Sequence, residues 1–228
     1  MRADWQAKDC IALLGGAVRY TEEQVIAAFK IGKEIAAQGK NLLTGGTSGI
    51  PYAAAIGAKQ GGAVVIGVSP AANIEEHTAK YRKPVDHIDI MVYTGMGFEA
   101  RNAINVRSVK GAIFVGGEFG TLGEFSAAYT CGNNVLGVLD GMGGVSNHIR
   151  NILTTTQSQY GSQVIFDLDP INLVRRVCTE VDLRFSTRAF HSTCEEIGSD
   201  VREIINRFLD VENTASCNTQ RASIPIGV

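Results

Sequence analysis

The chain reads as an α/β protein: a doubly wound parallel sheet in a single domain with a C-terminal helical tail. Three observations carry that reading. Short apolar runs of buried-strand type alternate with segments of helical periodicity from Cys10 to Val181. The runs are continuously apolar rather than alternating, as in strands covered on both faces. Glycine pairs close three of them, at Gly15-Gly16, Gly45-Gly46 and Gly116-Gly117. Strands and helices in strict alternation fold into a parallel sheet with right-handed crossovers.

Each element follows from local pattern. Cys10 to Leu14 is a first strand. Thr21 to Gln24 (TEEQ) forms a capping box, and Val25, Ile26, Phe29, Ile31 and Ile35 supply the inward face of a helix that stops at Gly39. Leu42-Leu43 leads into the turn Thr44 to Gly49, a small-residue helix runs from Ala53 to Lys59, and Ala63 to Pro70 is a strand. Ala71 to Pro84 is polar, with His77, Lys80, Arg82 and Lys83, and reads as a loop or frayed helix able to act as a mobile flap. Ile88 to Tyr93 is a strand, and Phe98 to Lys110 a helix resting on Ala100, Ile104 and Val109. Gly111 to Val115 is a strand, Gly116 to Thr121 its turn, and Leu122, Phe125, Ala128 and Tyr129 restart a helix. Val135 to Leu139, a helix from Val145 to Thr156, Val164 to Phe166 and a helix from Pro170 to Val181 complete the domain. Residues 1–182 form this unit. Residues 183–228 form an extension in which Val201, Ile204, Ile205, Phe208 and Leu209 line a helix, with a polar end from Glu212 expected to be disordered.

Composition narrows the class of function. The 228 residues are 45% hydrophobic with 26 glycines, enough for one sizeable α/β domain and an appendage. A net charge of −2 gives no electrostatic ground for nucleic acid or an acidic membrane surface as partner. The first ten residues lack the apolar core of a signal peptide, and no apolar run approaches the ~18 residues of a membrane span. A cytoplasmic location is expected. The cysteines at 10, 131, 178, 194 and 217 contain no CxxC pair and read as reduced thiols, with Cys131 and Cys178 on apolar helix faces as core residues. His77, His87, His148 and His191 lack metal-ligand spacing, so no metal site is expected. Neither Ser48 nor Ser108 lies in a GxSxG elbow.

The three glycine turns fall on one edge of a parallel sheet, the edge where open α/β proteins bind anions and nucleotides. The first turn is not a GxGxxG, and the acidic residue expected ~20 positions later is absent, which argues against an ordinary dinucleotide site. Arg101 and Glu124 come to the same edge. Glu124 has a plain alternative as a dipole-complementing acid in a first helical turn, and Arg101 as a solvated helix residue. Asp140, at a strand end, faces that edge either as a ribose contact or as a helix cap.

The run GGTSGI…GGAVVIGVSP from Gly45 to Pro70, followed by R…GGEFGTLGE from Arg101 to Glu124, resembles the LOG-like and molybdenum-cofactor-carrier-like Rossmann proteins. These SLOG proteins were formerly described as lysine decarboxylase-like. The resemblance spans roughly Ile11 to Val181 and implies a modified Rossmann fold. It implies that Arg101 and Glu124 act on the N-glycosidic bond of a nucleoside 5′-monophosphate, releasing free base and ribose 5-phosphate. It implies that Gly45, Gly46, Thr47, Asn102, Gly116, Gly117, Gly120 and Thr121 bind phosphate or nucleotide. It further implies no required cofactor, a nucleotide or molybdopterin as the bound small molecule, and a homodimer or homotetramer. Gly116 stands where the hydrolases have Pro, Glu118 where they have Gly, and Asn102 where they have Lys. A carboxylate at 118 would repel a phosphate unless it points away. The Arg-Asn pair and the Gly-Gly start are closer to the carrier-like and uncharacterised branches. The reading leans to nucleotide binding with phosphoribohydrolase activity, with a non-enzymatic molybdenum-cofactor or nucleotide carrier or sensor as the alternative.

Overall fold

The computed structural model describes residues 9–132, 134–185, 201 and 203–207. Seven strands form one parallel sheet in the order β4-β3-β2-β1-β5-β6-β7. They are β1 Cys10–Gly15, β2 Asn41–Thr44, β3 Val65–Ser69, β4 Ile90–Tyr93, β5 Gly111–Val115, β6 Val135–Leu139 and β7 Gln163–Asp167. The helices are α1 Glu22–Ala37, α2 Ile50–Gln60, α3 Gly97–Arg107, α4 Phe119–Thr130, α5 Ser146–Thr156 and α6 Pro170–Arg184. The chain walks outward from β1 to β4, then returns through α3 to lay β5 beside β1 in the register Ile11 to Gly111. That reversal is the switch point of a doubly wound sheet, and it opens a crevice at the carboxyl ends of β1 and β5. The strands on either side of it are sealed: Leu13, Leu14, Ile113, Phe114, Leu136 and Leu139 have almost no exposure.

Helix α1 buries Ile31 and Ile35 as its apolar pattern suggests, leaves Val25 and Phe29 half-buried, and exposes Ile26. The capping box forms as read, with Gln24 N donating to Thr21 Oγ1 and Thr21 N donating to Gln24 Oε1. The full buried stripe is Gln24, Ala27, Ala28, Ile31, Gly32 and Ile35. The reason is close approach of α2. A Cβ on Gly32 would lie 2.0 Å from the carbonyl oxygen of Ala54, and one on Gly57 would lie 2.1 Å from that of Phe29. Backbones this close leave no room for large side chains, so small residues face the seam.

Three further readings are corrected. Helix α3 ends at Arg107 with Ser108 as C-cap, and Ala100 is exposed while Arg101, Asn105 and Val106 are buried. Cys131 is the C-cap of α4 and is exposed; Cys178 is a core thiol, its pKa pushed by burial to about 12. The polar stretch after β3 contains a π-helical turn, Glu76–Lys80, anchored by fully buried His77. The His77 ring contacts Ser69 Oγ through Nδ1 at 2.7 Å and the Pro84 carbonyl through Nε2 at 3.0 Å.

The chain separates into two compact units, Met1–Arg184 and Phe185–Val228. In the second, residues 201 and 203–207 are helical. Phe208, Leu209 and the polar end from Glu212 lie outside the described residues.

The α1–α2 seam makes a directional prediction. On helix propensity alone Gly57→Ala gains about 1 kcal/mol. The collision with Phe29 reverses the sign, and a net loss of about 1–3 kcal/mol is expected from urea unfolding followed by circular dichroism. Gly123→Ala, in α4 with nothing within 4 Å of the new Cβ, should instead hold or raise stability.

Candidate functional site

A cavity of about 240 Å³ occupies the crevice at the switch point. One wall is the loop after β1, Gly15 to Arg19, and a second is the turn after β2 with Gly45 and Thr47. A third is the start of α3, with Phe98, Arg101 and Asn102, and the fourth the start of α4, with Gly120, Thr121 and Glu124. Gly45, Thr47, Arg101, Asn102, Gly120, Thr121 and Glu124, named from the sequence, thus converge on one space. Gly46, Gly116 and Gly117 do not line it.

The centre of the site is an ion pair. Arg101 Nη1 lies 3.8 Å from Glu124 Oε1, and the two side chains are only 4% and 9% exposed. Asn105, one helical turn after Arg101, donates from Nδ2 to the same Oε1 at 3.0 Å. Asn102, with its amide nitrogen turned inward, donates to Oε1 at 3.2 Å and to the Phe98 carbonyl at 3.0 Å. Helix α3 therefore turns a polar stripe toward α4, which is why its apolar residues do not mark its buried face. Burial pushes the Glu124 carboxyl up, against the opposing pull of Arg101 and Asn105. Burial likewise lowers the pKa of Arg101, partly offset by Glu124. Arg101 Nε and Asn105 Oδ1 are buried with no partner among the described residues.

Gly45 is what lets Arg101 lie here. A Cβ on Gly45 would sit 2.1 Å from Arg101 Nη1, so the guanidinium rests directly on the backbone of the turn after β2.

The turn after β5 divides its work. Gly116 N donates to Ser146 Oγ at 3.1 Å, and the carbonyls of Gly116 and Gly117 accept from Ser146 N and Val145 N. These two glycines brace the entry to α5, and the Gly116 N–H is already taken. Gly46 N likewise donates to Thr44 Oγ1 at 3.2 Å. The uncommitted N–H groups of the turn lie one step later. Helix α4 begins at Phe119 with no side-chain cap and no acid in its first turn, and Gly120 and Thr121 line the cavity there. An uncapped helix start directs free N–H groups and a positive dipole end at whatever sits in front of it.

Glu118 lines the cavity but is paired at its edge. Its carboxylate accepts from Arg19 Nη1 at 3.1 Å at the exposed rim. Asp140 does not line the cavity; it pairs with Arg150 at 3.2 Å. Sequence reasoning marked the Gly15-Gly16 turn but missed Ala17, Val18, Arg19 and Phe98 as lining residues, because nothing in their local pattern shows which way they face. Asn105 was legible in principle, since its i+4 spacing from Arg101 places both on one helix face.

With the geometry in hand, similarity to known proteins becomes informative. The family model described as SLOG cluster4 family matches residues 8–174. An uncharacterized protein of Archaeoglobus fulgidus is 37% identical over 120 residues, covering 53% of this chain and 74% of that protein. Among solved structures, the molybdenum cofactor binding protein of the phototrophic bacterium Rippkaea orientalis matches with a TM-score of 0.63 at 28% identity, over 78% of this chain and 99% of that one. The molybdenum cofactor carrier protein of Chlamydomonas reinhardtii matches with a TM-score of 0.59 at 29% identity, over 76% and 99%.

The raised Glu124 carboxyl has a consequence for stability. A carboxyl whose folded pKa lies above its unfolded one stabilises the fold below the unfolded value, and that contribution is lost as pH rises through the folded value. Glu124→Gln should therefore gain thermal stability over wild type as pH rises from about 4.5, the ordinary carboxyl value, with the gap closing in acid. Melting midpoints across the pH range check this; a gap that widens in acid would contradict it.

Proposed function

We propose, for a chain that belongs to the SLOG cluster4 family, that the switch-point cavity binds a nucleotide-like phosphorylated ligand. We further propose that the chain holds molybdenum cofactor or a related phosphorylated pterin there as a carrier or sensor. One observation carries this reading: a nearly sealed guanidinium with an unpartnered Nε stands across the cavity from the uncapped start of α4. Both features want an oxyanion. In this reading the phosphate accepts from the backbone of Gly120 and Thr121 and from the Thr121 hydroxyl. Gly45 and Thr47 form the facing wall, Arg101 supplies charge, and Glu124 accepts N–H or O–H donors of the ring system. The two relatives named for binding or carrying molybdenum cofactor support the choice of pterin.

A second reading is favoured by Glu124. A buried carboxyl with a raised pKa beside an arginine suits general acid–base work at an N-glycosidic bond. Glu124 would steady the ribosyl centre or activate the water that adds to it. The departing base would take a proton, and free base and ribose 5-phosphate would leave. Asn105 donates to Glu124 Oε1, and Asn102 does so with its amide turned over; these bonds orient the carboxyl and suit holding a ligand as well as acting on it. Ile90 and Val92, exposed on edge strand β4, support assembly as a homodimer or homotetramer, measurable by light scattering.

The deciding experiment offers purified protein molybdenum cofactor and a panel of nucleoside 5′-monophosphates. Thermal stabilisation by the pterin, reduced about tenfold or more in affinity by Arg101→Ala, with no base released, is the expected result. Release of free base that vanishes in Glu124→Ala would move the assignment to the hydrolase. No stabilisation and no release would remove both.

A further inference from the structure

Lys83 is a cation that the cavity described so far leaves unexplained. It lies in the segment between the π-helical turn and β4, and burial together with the Arg101 charge lowers its pKa. Its Nζ donates to Ser48 Oγ at 3.1 Å, and Ser48 Oγ donates in turn to the Ala17 carbonyl at 2.9 Å. Among the described residues no carboxylate lies within ion-pairing distance of Lys83. A half-buried ammonium that feels the Arg101 charge and has no acid within ion-pairing distance among the described residues is a place where a bound anion would be favourable.

The position is built rather than incidental. Fully buried His77 grips the segment twice: its Nε2 contacts the Pro84 carbonyl at 3.0 Å, and its own carbonyl accepts from Lys83 N at 3.1 Å. Arg82 adopts φ 51°, a left-handed conformation disfavoured for a side-chain-bearing residue, immediately before Lys83. Ser48 adjoins Thr47, which lines the cavity, and Gly45 in the same turn carries the Arg101 guanidinium. Arg101 is 4% exposed, and its Nε has no partner among the described residues. Thr47 and Arg101 line the cavity, and Lys83 reaches the same β2–α2 turn through Ser48, the residue that follows Thr47.

We propose that Lys83, Ser48, Thr47 and Arg101 form a second phosphate subsite on the β2–α2 wall, so that the cavity takes a ligand bearing two phosphate groups. The inference deepens the proposed function and rests on its reading of the cavity as a phosphate-ligand site. The first phosphate sits at the α4 N-terminus and the second replaces the missing counter-ion of Lys83. His77 is a positioning residue, acting through the backbone of Lys83 and Pro84.

The test titrates inorganic phosphate into the full chain, with binding read by phosphorus-31 line broadening, for wild type, Lys83→Met, Lys83→Arg and Thr121→Val. Methionine keeps the apolar stem, and far-UV circular dichroism with a melting midpoint verifies the fold of each variant. Lys83→Met is expected to weaken phosphate binding about tenfold, Lys83→Arg to restore it, and Thr121→Val to leave a component that disappears when Lys83→Met is added. Superimposable titrations of wild type and Lys83→Met overturn the subsite, as does a Lys83→Arg variant no better than Lys83→Met. Thermal stabilisation by a nucleoside 5′-monophosphate, equal in wild type and Lys83→Met but lost in Thr121→Val, would remove the subsite while upholding the proposed function. Absence of binding by either probe to wild type would remove both.

Discussion

Burying an arginine and a glutamate together at the carboxyl edge of the sheet is the constraint on which the rest of this structure turns. At 3.8 Å and an effective dielectric near 20, the Arg101–Glu124 attraction is about 4 kcal/mol. The penalty for removing both ions from water is several kcal/mol for each. The pair is therefore no net source of stability, and the protein surrounds it with compensations. Asn102 and Asn105 both donate to Oε1, and the turn after β2 gives up a Cβ at Gly45 so that the guanidinium can reach it. This arrangement, costly for the fold alone, is what motivates the proposed ligand site.

The charges around the pair extend that logic. Glu118, a potential source of repulsion in the turn after β5, is drawn to Arg19 at the rim. Lys83 and Arg101 then stand on the β2 side with Glu124 as the nearby acid, and burial weakens its hold on its charge. The charged residues lining the cavity balance, Arg19 and Arg101 against Glu118 and Glu124, so the uncapped start of α4 is the feature there that favours an anion.

Glycine has distinct physical jobs in this fold. Gly32 and Gly57 set the α1–α2 distance, and Gly45 seats the guanidinium, both by absence of a side chain. Gly116 and Gly117 have positive φ and hold α5 with their carbonyls, so they shape the site from behind without touching its contents. A glycine-rich turn in sequence therefore locates a site without identifying which of its atoms meet the ligand.

By itself the sequence determined the alternation of strands and helices, the parallel sheet and the capping box of α1. It also placed Arg101, Glu124, Gly120 and Thr121 at one edge. These are local or periodic properties: strand burial shows as continuous apolar runs, and glycine turns mark the ends where crossovers begin. Only the tertiary structure decided that Gln24, Ala27, Ala28 and Gly32 join Ile31 and Ile35 on the buried face of α1, because that depends on α2 approaching to backbone contact. Only it showed that α3 buries Arg101 and Asn105 in place of Ala100, that Cys131 is exposed, and that Gly116 is committed to Ser146. Lys83 reaches Ser48 across 35 positions because buried His77 holds the segment between them. Such pairings arise from the packing of distant segments, and no spacing rule along the chain encodes them.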